Sequence, residues 1–225
     1  MQPDSYYLSL YPLQDAVLAK IAEIDQSFYL TGGTALRCCY LNHRYSDDLD
    51  FFVNRDAEFS TKVQGIIDHF RTQSNWAIEV EKKDTDFARC FVTQDQVQLK
   101  LDFVNDVTYR YGEPQQHPIF SRVDNLRNIL SNKVSALSRN ASKDFVHIIF
   151  VCRTLSFNWR EIIHEASEKD MWVNPVEISR LIYEYEVVRL TEIPWIEPVN
   201  VERFQRETKI VAKEILLGSD HGAGY

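Results

Sequence analysis

The first quarter of the chain alternates between helical and extended hydrophobic patterns. Apolar residues recur at helical spacing from Pro12 to Ile24, which predicts an amphipathic helix with a proline near its start. The apolar run at 28–31 stops at a glycine pair and predicts a strand. A second helix is expected over residues 34–41, with Thr34 as its candidate N-cap.

The middle of the chain combines one further helix with several strands. The Phe-rich run at 49–53 predicts a strand, and Ser60 is a candidate cap for a helix whose apolar residues follow i, i+3, i+4, i+7 spacing. Three extended runs come next, over residues 77–82, 87–93 and 97–104. The polar residues at 93–96 suit a tight connection between the last two runs. This pattern predicts an antiparallel meander and therefore a mixed sheet.

Beyond Pro118 the pattern is helical almost to the end of the sequence. Helices are predicted over residues 124–139, 143–155, 159–169, 175–187 and 201–217. The composition changes most sharply at 112–124, which suggests a domain boundary. The predicted fold is therefore α+β, with a mixed-sheet core at residues 1–115 followed by an α-helical domain at residues 116–225.

Composition narrows the classes of function. The chain has 225 residues, of which 44% are hydrophobic, so it can bury a sizeable core. Its net charge of -8 argues against general nucleic-acid binding, although a local basic groove stays open. The 4 cysteines show no CxxC spacing and suggest reduced thiols. With no signal-peptide pattern and no long apolar run, we expect a cytoplasmic protein without a membrane span.

The glycine pair Gly32-Gly33 lies where a strand is predicted to turn into a helix. Glycines allow positive φ and let a ligand approach the backbone closely. The free N–H groups at a helix start can also bind an anion. Since a glycine pair is also an ordinary turn, the motif by itself leaves both interpretations open.

Acidic residues follow this turn at strand spacing. Asp48 and Asp50 are expected to share one face, because alternate residues of a strand point the same way. Like charges on one face repel unless a cation lies between them, and Mg²⁺ prefers such oxygen ligands together with phosphates. A solvated acidic turn is the alternative. Asp102 is expected on the polar face of the strand at 97–104. It is either a third metal ligand or an ordinary exposed residue of that strand.

The helical half contains two further candidates. Lys133 lies on the apolar stripe of the helix predicted at 124–139. It either extends its charge toward solvent or meets a triphosphate as a point charge. Asp144 falls near the start of the next helix. An acid there either complements the helix dipole or orients Lys133 or an attacking hydroxyl.

Three stretches of the sequence resemble a known family. "YLTGGTAL" at 29–36, followed by "SDDLDFF" at 46–52, resembles the nucleotidyltransferase signature of the DNA polymerase β superfamily, and more narrowly the AbiEii/AbiGii toxin family. "NILSNKVSALSRNASKDFVHI" at 128–148 resembles that family's second block. The resemblance covers about residues 25–155. It implies that the α+β core is a nucleotidyltransferase core.

The resemblance also assigns site residues, position by position. The turn that cradles phosphate matches Gly32, Gly33 and Thr34. The metal-binding block matches Ser46, Asp48 and Asp50, and Asp102 matches a third strand acid that completes the metal site and assists deprotonation of the acceptor. The helical block matches Lys133 and Asp144.

One position departs from the family pattern. Family members often carry a second acid three residues after the position of Asp144, and this chain has His147 there. Either His147 replaces the acid as a polar group, or the second block is partly degenerate.

The implied reaction is transfer of a nucleoside monophosphate from a nucleoside triphosphate (NTP) to an acceptor hydroxyl, with Mg²⁺ or Mn²⁺ as cofactor. The implied role is that of the toxin in a toxin–antitoxin pair, with a separate antitoxin as partner and RNA, such as tRNA, or protein as acceptor. Two alternatives stay open. One is a non-catalytic descendant that binds a nucleotide or a partner, and the other is a nucleotidyltransferase that modifies a small molecule such as an antibiotic.

Overall fold

The structure, a computed structural model, describes residues 3–73 and 75–224. The chain divides into two compact units. The first unit contains the residues up to Tyr40 together with Tyr45–Asp124. The second unit contains Leu41–Arg44 and the residues from Asn125 onward. The division predicted from composition lies earlier, between residues 115 and 116.

The first unit combines helices with a five-stranded sheet. Its elements are α1 (Pro3–Ser5), a π-helical turn (Tyr6–Leu10), α2 (Tyr11–Ile24), β1 (Tyr29–Thr31), α3 (Gly32–Ala35), a second π-helical turn (Leu36–Leu41), β2 (Asp48–Asn54), α4 (Phe59–Arg71), β3 (Ala77–Lys83), β4 (Phe87–Gln94) and β5 (Val97–Asp106). These bounds confirm the predicted first helix and the predicted strands.

The sheet has the order β1-β2-β5-β4-β3. Strands β2 and β5 are parallel, and the other neighbours are antiparallel, so the predicted mixed sheet is confirmed. The hairpin between β4 and β5 turns at Asp95 and Gln96, whose φ angles are 48° and 68°. Two successive left-handed residues match the twist of antiparallel strands, which explains why this short polar loop suffices.

The two central strands bury one face and leave the other polar. Side chains alternate between buried and half-buried along β2, with Leu49, Phe51 and Val53 in the core. On β5, Leu99 and Phe103 are fully buried on the same side. Because strand periodicity is two, this burial fixes the acids between them on the opposite face.

The second unit is mainly helical. It contains α5 (Leu126–Ser135), a 3₁₀ turn (Ala136–Arg139), α6 (Ser142–Cys152), β6 (Phe157–Asn158), α7 (Trp159–Lys169), α8 (Pro175–Tyr183), a second 3₁₀ turn (Val187–Glu192), α9 (Val201–Leu217) and β7 (Asp220–His221). An asparagine side chain caps the start of four of these helices by accepting a backbone N–H, at Asn125, Asn158, Asn174 and Asn200. Within the described ranges, no helix is long and apolar enough to cross a bilayer.

Two of the predicted helix caps are wrong. The helix after the glycine pair begins at Gly32 rather than Thr34, because the backbone turns at the first glycine, whose φ is +71°. Thr34 therefore lies inside the helix. Helix α4 begins at Phe59, so Ser60 is also inside its helix, and Glu58 holds the cap position without a side-chain hydrogen bond.

Candidate active site

The polar face of the sheet brings the strand acids together. In the parallel pairing of β2 with β5, Asp48 lies beside Lys100, and Asp50 lies beside Asp102. Paired residues of neighbouring strands have side chains on the same face. The shared face predicted for Asp48 and Asp50 is therefore present, and Asp102 joins it from the next strand.

The glycine turn packs directly against one of these acids. β1 pairs with β2 so that Thr31 lies opposite Asp50, and Gly32 follows immediately. A β-carbon added to Gly32 would lie 2.1 Å from Oδ2 of Asp50. Such a separation is far shorter than any real contact, so only glycine leaves room for this carboxylate.

Two hydroxyl residues from the predicted motifs lie close to the start of β2. Thr34 donates its hydroxyl hydrogen to the carbonyl oxygen of Asp48, which ties α3 to the start of β2. The carbonyl of Ser46 accepts a hydrogen bond of 3.1 Å from Gln14 Nε2. Among the described residues, the buried Ser46 hydroxyl has no hydrogen-bond partner. A buried polar atom of this kind marks a place where a further polar group fits.

Two cations lie among the acids, and neither was identified from the sequence. Lys100 Nζ is 2.9 Å from Asp48 Oδ2 and 3.5 Å from Asp102 Oδ2. Arg89, on β4, donates a hydrogen bond to each carboxylate oxygen of Asp102. Its Nε is 2.7 Å from Oδ1, and a terminal nitrogen is 2.9 Å from Oδ2. A two-pronged arginine–carboxylate pair of this kind is strong and directional.

The acids keep Lys100 charged despite its partial burial. Burial opposes the charge, but the hydrogen bond to Asp48 and the nearby charges of Asp102 and Asp50 outweigh it and raise the pKa of Lys100. The hydrogen bond to Asp102 likewise raises the pKa of Arg89. Both side chains are therefore permanent cations at neutral pH.

The donor set fits one divalent cation. Within the described part of the chain, no group of three or more His, Cys, Asp or Glu side chains is arranged as a metal site. Lys100 and Arg89 engage Asp102 and one oxygen of Asp48. Asp48 and Asp50 are two carboxylates on one face of β2. Mg²⁺ is commonly held by one or two carboxylates together with phosphates and water.

Lys133 and Asp144 lie in the second unit and contact each other. Lys133 Nζ donates to Asp144 Oδ1 at 2.9 Å, and the two side chains are 15% and 5% exposed. The interpretation in which Lys133 simply extends into solvent is therefore wrong. The interpretation in which Asp144 orients Lys133 agrees with this contact.

Removal of the lysine charge should therefore destabilise the second unit. In Lys133→Met, the carboxylate of Asp144 stays buried without its cation, which typically costs about 3 kcal/mol. Chemical denaturation would measure this loss. The double variant Lys133→Met/Asp144→Leu should recover much of it, because no uncompensated charge remains. A single variant as stable as the wild type would contradict the buried pair.

The residue that departs from the family pattern also has a defined contact. His147 is fully buried, and its Nε2 accepts a hydrogen bond of 2.8 Å from Arg44 Nε. His147 thus serves as a polar acceptor for a buried arginine, a role that a carboxylate in this position would also fill. Burial and the charge of Arg44 hold the pKa of His147 well below its usual range.

A second buried histidine lies beside it. The rings of His43 and His147 are 5.4 Å apart, and burial followed by the charges of Arg44 and Arg153 lowers the pKa of His43 to about 3. Both histidines are thus neutral in the folded protein at pH 5–8, whereas in the unfolded chain they take up protons below about pH 6.5.

Stability should therefore fall as the solution becomes acidic. Below about pH 6.5 the unfolded state binds protons that the folded state does not, so each histidine lowers the unfolding free energy by about 1.4 kcal/mol at pH 5.5. Denaturation at pH 7.5 and 5.5 measures the difference. His147→Gln keeps an acceptor for Arg44 and should halve the decrease in unfolding free energy between pH 7.5 and 5.5. Replacement of the exposed His164 by Gln should leave that decrease unchanged. Equal losses in all three proteins would contradict the neutral histidines.

Comparison with known proteins gives a family and a fold. The family model described as "Nucleotidyl transferase AbiEii toxin, Type IV TA system" matches residues 16–157. No curated protein sequence matches the chain. Among solved structures, a proposed nucleotidyltransferase from H. pylori aligns with a TM-score of 0.65 at 19% identity, over 96% of each chain.

Two further structures align over nearly the whole chain. JHP933 from Helicobacter pylori has a TM-score of 0.60 at 18% identity, over 96% of this chain and 94% of its own. MenT4, a nucleotidyltransferase toxin from Mycobacterium tuberculosis H37Rv, has a TM-score of 0.64 at 16% identity, over 96% of this chain and 86% of its own. At such identities these alignments show a shared fold. Because the family model spans more than half of the sequence, the chain belongs to the AbiEii family of nucleotidyltransferase toxins of type IV toxin–antitoxin systems.

Proposed function

We propose that this nucleotidyltransferase uses a divalent cation to move a nucleoside monophosphate from an NTP to an acceptor hydroxyl, releasing pyrophosphate. One observation carries the proposal. The register of β2 and β5 sets Asp48, Asp50 and Asp102 on one face, beside a glycine turn that a larger residue would close. Phosphoryl-type transfer depends mainly on positioning and charge neutralisation, and a cation held by this face would neutralise charge on the phosphates.

The β2 carboxylates are the proposed ligands of the cation. Asp48 and Asp50 would hold Mg²⁺ or Mn²⁺, which supplies a Lewis acid that neutralises charge on the phosphates when it is bound. Gly33 and Gly32 let the triphosphate approach the backbone closely. The Thr34 hydroxyl already donates its hydrogen to the backbone carbonyl of Asp48. Thr34 would therefore contact a phosphate through its backbone N–H.

The remaining candidates have supporting roles. Asp102 is the proposed third acid, which orients the acceptor hydroxyl and takes its proton, and Arg89 fixes the direction of its carboxylate. Ser46, with its buried hydroxyl, lines the start of the metal-binding strand. Lys133 and Asp144 are proposed as site residues because they match the helical block of the family.

The family also suggests the biological setting. We propose that the chain acts as the toxin of its pair, that a cognate antitoxin is its partner in the cytoplasm, and that the acceptor is RNA, such as tRNA, or protein. MenT4 is described as a nucleotidyltransferase toxin, which supports this role by analogy of fold.

One observation favours a non-catalytic nucleotide-binding protein as the second candidate. Asp102 has both carboxylate oxygens engaged by Arg89, so it is less free to accept a proton than a solvated acid would be. The two candidates differ in turnover, because only the enzyme consumes the triphosphate.

An acceptor screen tests the proposal. The protein is incubated with Mg²⁺, each of the four NTPs labelled at the α-phosphate, and total RNA, total protein or a small-molecule extract. The expected result is label in the RNA or protein fraction and free pyrophosphate. Label in the small-molecule fraction alone would identify an antibiotic-type enzyme. Nucleotide binding without label in any fraction would support the non-catalytic alternative.

A further inference from the structure

The candidate site contains its own fixed positive charges. Lys100 lies beside Asp48 in the strand register, and its ammonium group is 2.9 Å from Asp48 Oδ2 and 3.5 Å from Asp102 Oδ2. It therefore bridges two acids that belong to different strands. Arg89 holds both oxygens of Asp102 from the other side.

Each of these two cations is shared between two acids. Lys100 lies between Asp48 and Asp102, and Arg89 pairs with Asp102 and with Glu81. Asp102 therefore meets two cations, one of which also contacts Asp48.

The position of Lys100 argues against a second catalytic ion at this site. Two catalytic ions lie about 3.5–4 Å apart and share bridging carboxylates. The group between Asp48 and Asp102, where a second ion would need shared oxygens, is already the ammonium of Lys100. The strand sets the face from which the side chain extends, and the contacts with Asp48 and Asp102 hold its ammonium group.

We propose that Lys100 takes the place of a second divalent cation, so that the site binds one metal ion together with the nucleotide. This inference rests on the proposed function, because it concerns the same site. It gives Lys100 a role as a positioning residue that bridges Asp48 and Asp102. It also distinguishes this site from one in which all three acids are free to bind metal.

The alternative is an ordinary pair across a strand ladder. Such pairs contribute about 0.2–1 kcal/mol to stability and have no effect on metal stoichiometry. The two accounts therefore differ in the number of ions bound, which can be counted without any catalytic assay.

The test counts Mn²⁺ ions in wild type and in Lys100→Met. Each protein receives one equivalent of a non-hydrolysable NTP analogue, and bound Mn²⁺ is measured by electron paramagnetic resonance during a titration. Wild type is expected to bind one ion per chain. Lys100→Met keeps the aliphatic stem, removes the charge and is expected to bind two.

A matched control separates the site from any buried ion pair. Lys62 Nζ, on α4, pairs with Asp56 Oδ2 at 2.5 Å, with side chains 22% and 18% exposed, and Asp56 lies beyond the last residue of β2. Lys62→Met should leave the count at one. Two ions in wild type, or one ion in Lys100→Met, would overturn the inference while leaving nucleotidyl transfer intact.

Thermal melts with Mn²⁺ alone test the same inference without nucleotide. Lys100→Met exposes the mutual repulsion of the acids, so Mn²⁺ should raise its Tm by several degrees more than that of wild type or Lys62→Met. Equal shifts in all three proteins would overturn the inference. Absence of nucleotide binding in every variant would instead contradict the proposed function, and the melts would still decide the role of Lys100.

Discussion

Replacement of Asp50 by Asn is expected to lower the rate of nucleotidyl transfer by about 100-fold or more while the protein stays folded. The amide has the shape of the carboxylate and still fits against Gly32, where the free space is set by the glycine. It cannot supply the negative charge that a divalent cation requires, so the charge neutralisation on which the transfer depends is lost.

Label transfer and thermal denaturation, measured on the same preparation, test this prediction. Asp47→Asn is the matched control, because it removes the same charge from an exposed position that precedes β2. The control should retain activity. Substantial transfer by a folded Asp50→Asn protein would show that the β2 carboxylates do not hold the catalytic cation.

Replacement of Gly32 by Ala should damage both stability and activity. The backbone there has φ +71°, which costs a residue with a side chain about 1–3 kcal/mol. The new methyl group would also lie 2.1 Å from Asp50 Oδ2, so the carboxylate must move. A displacement of about 1 Å in a catalytic group typically lowers the rate by about 100-fold.

Gly65→Ala provides the control for this substitution. Gly65 lies inside α4, and a β-carbon there would meet no atom within 4 Å. Alanine should therefore stabilise the helix by about 0.5–1 kcal/mol and leave activity unchanged. If denaturation and label transfer gave the same results for Gly32→Ala as for Gly65→Ala, the close approach of turn and carboxylate would be contradicted.

The strand acids could be predicted because their spacing has a direct structural meaning. Alternation along a strand is enough to place Asp48 and Asp50 on one face and Asp102 on the polar face of its own strand. Their partners could not be predicted in the same way. The pairing of Lys100 with Asp48, and of Arg89 with Asp102, depends on which strands are neighbours and in which register.

Helix starts were the weakest part of the sequence prediction. Thr34 and Ser60 are typical capping residues, yet both lie inside their helices. At Gly32 the positive φ begins the turn two residues earlier, and the Thr34 hydroxyl is used by the carbonyl of Asp48 instead. A local preference for capping gives way when a tertiary hydrogen bond is available.

In the helical half, periodicity predicted the elements but not the contacts. The helices at 159–169 and 201–217 have the predicted bounds, because their apolar stripes are regular. Lys133 lies on such a stripe, and the pattern alone cannot tell a solvent-directed lysine from one paired with Asp144. The contact of His147 with Arg44 joins residues 103 positions apart, beyond the reach of any local pattern.

The most direct test of the account is to compare two labels in the same reaction. Wild-type protein is given Mg²⁺, the acceptor fraction and an NTP labelled either at the α-phosphate or at the γ-phosphate. Nucleotidyl transfer predicts that the α-label enters the acceptor and the γ-label leaves as pyrophosphate, and that Asp50→Asn slows both events by about 100-fold or more. Entry of the γ-label into the acceptor, or α-label transfer by Asp50→Asn at the wild-type rate, would contradict it.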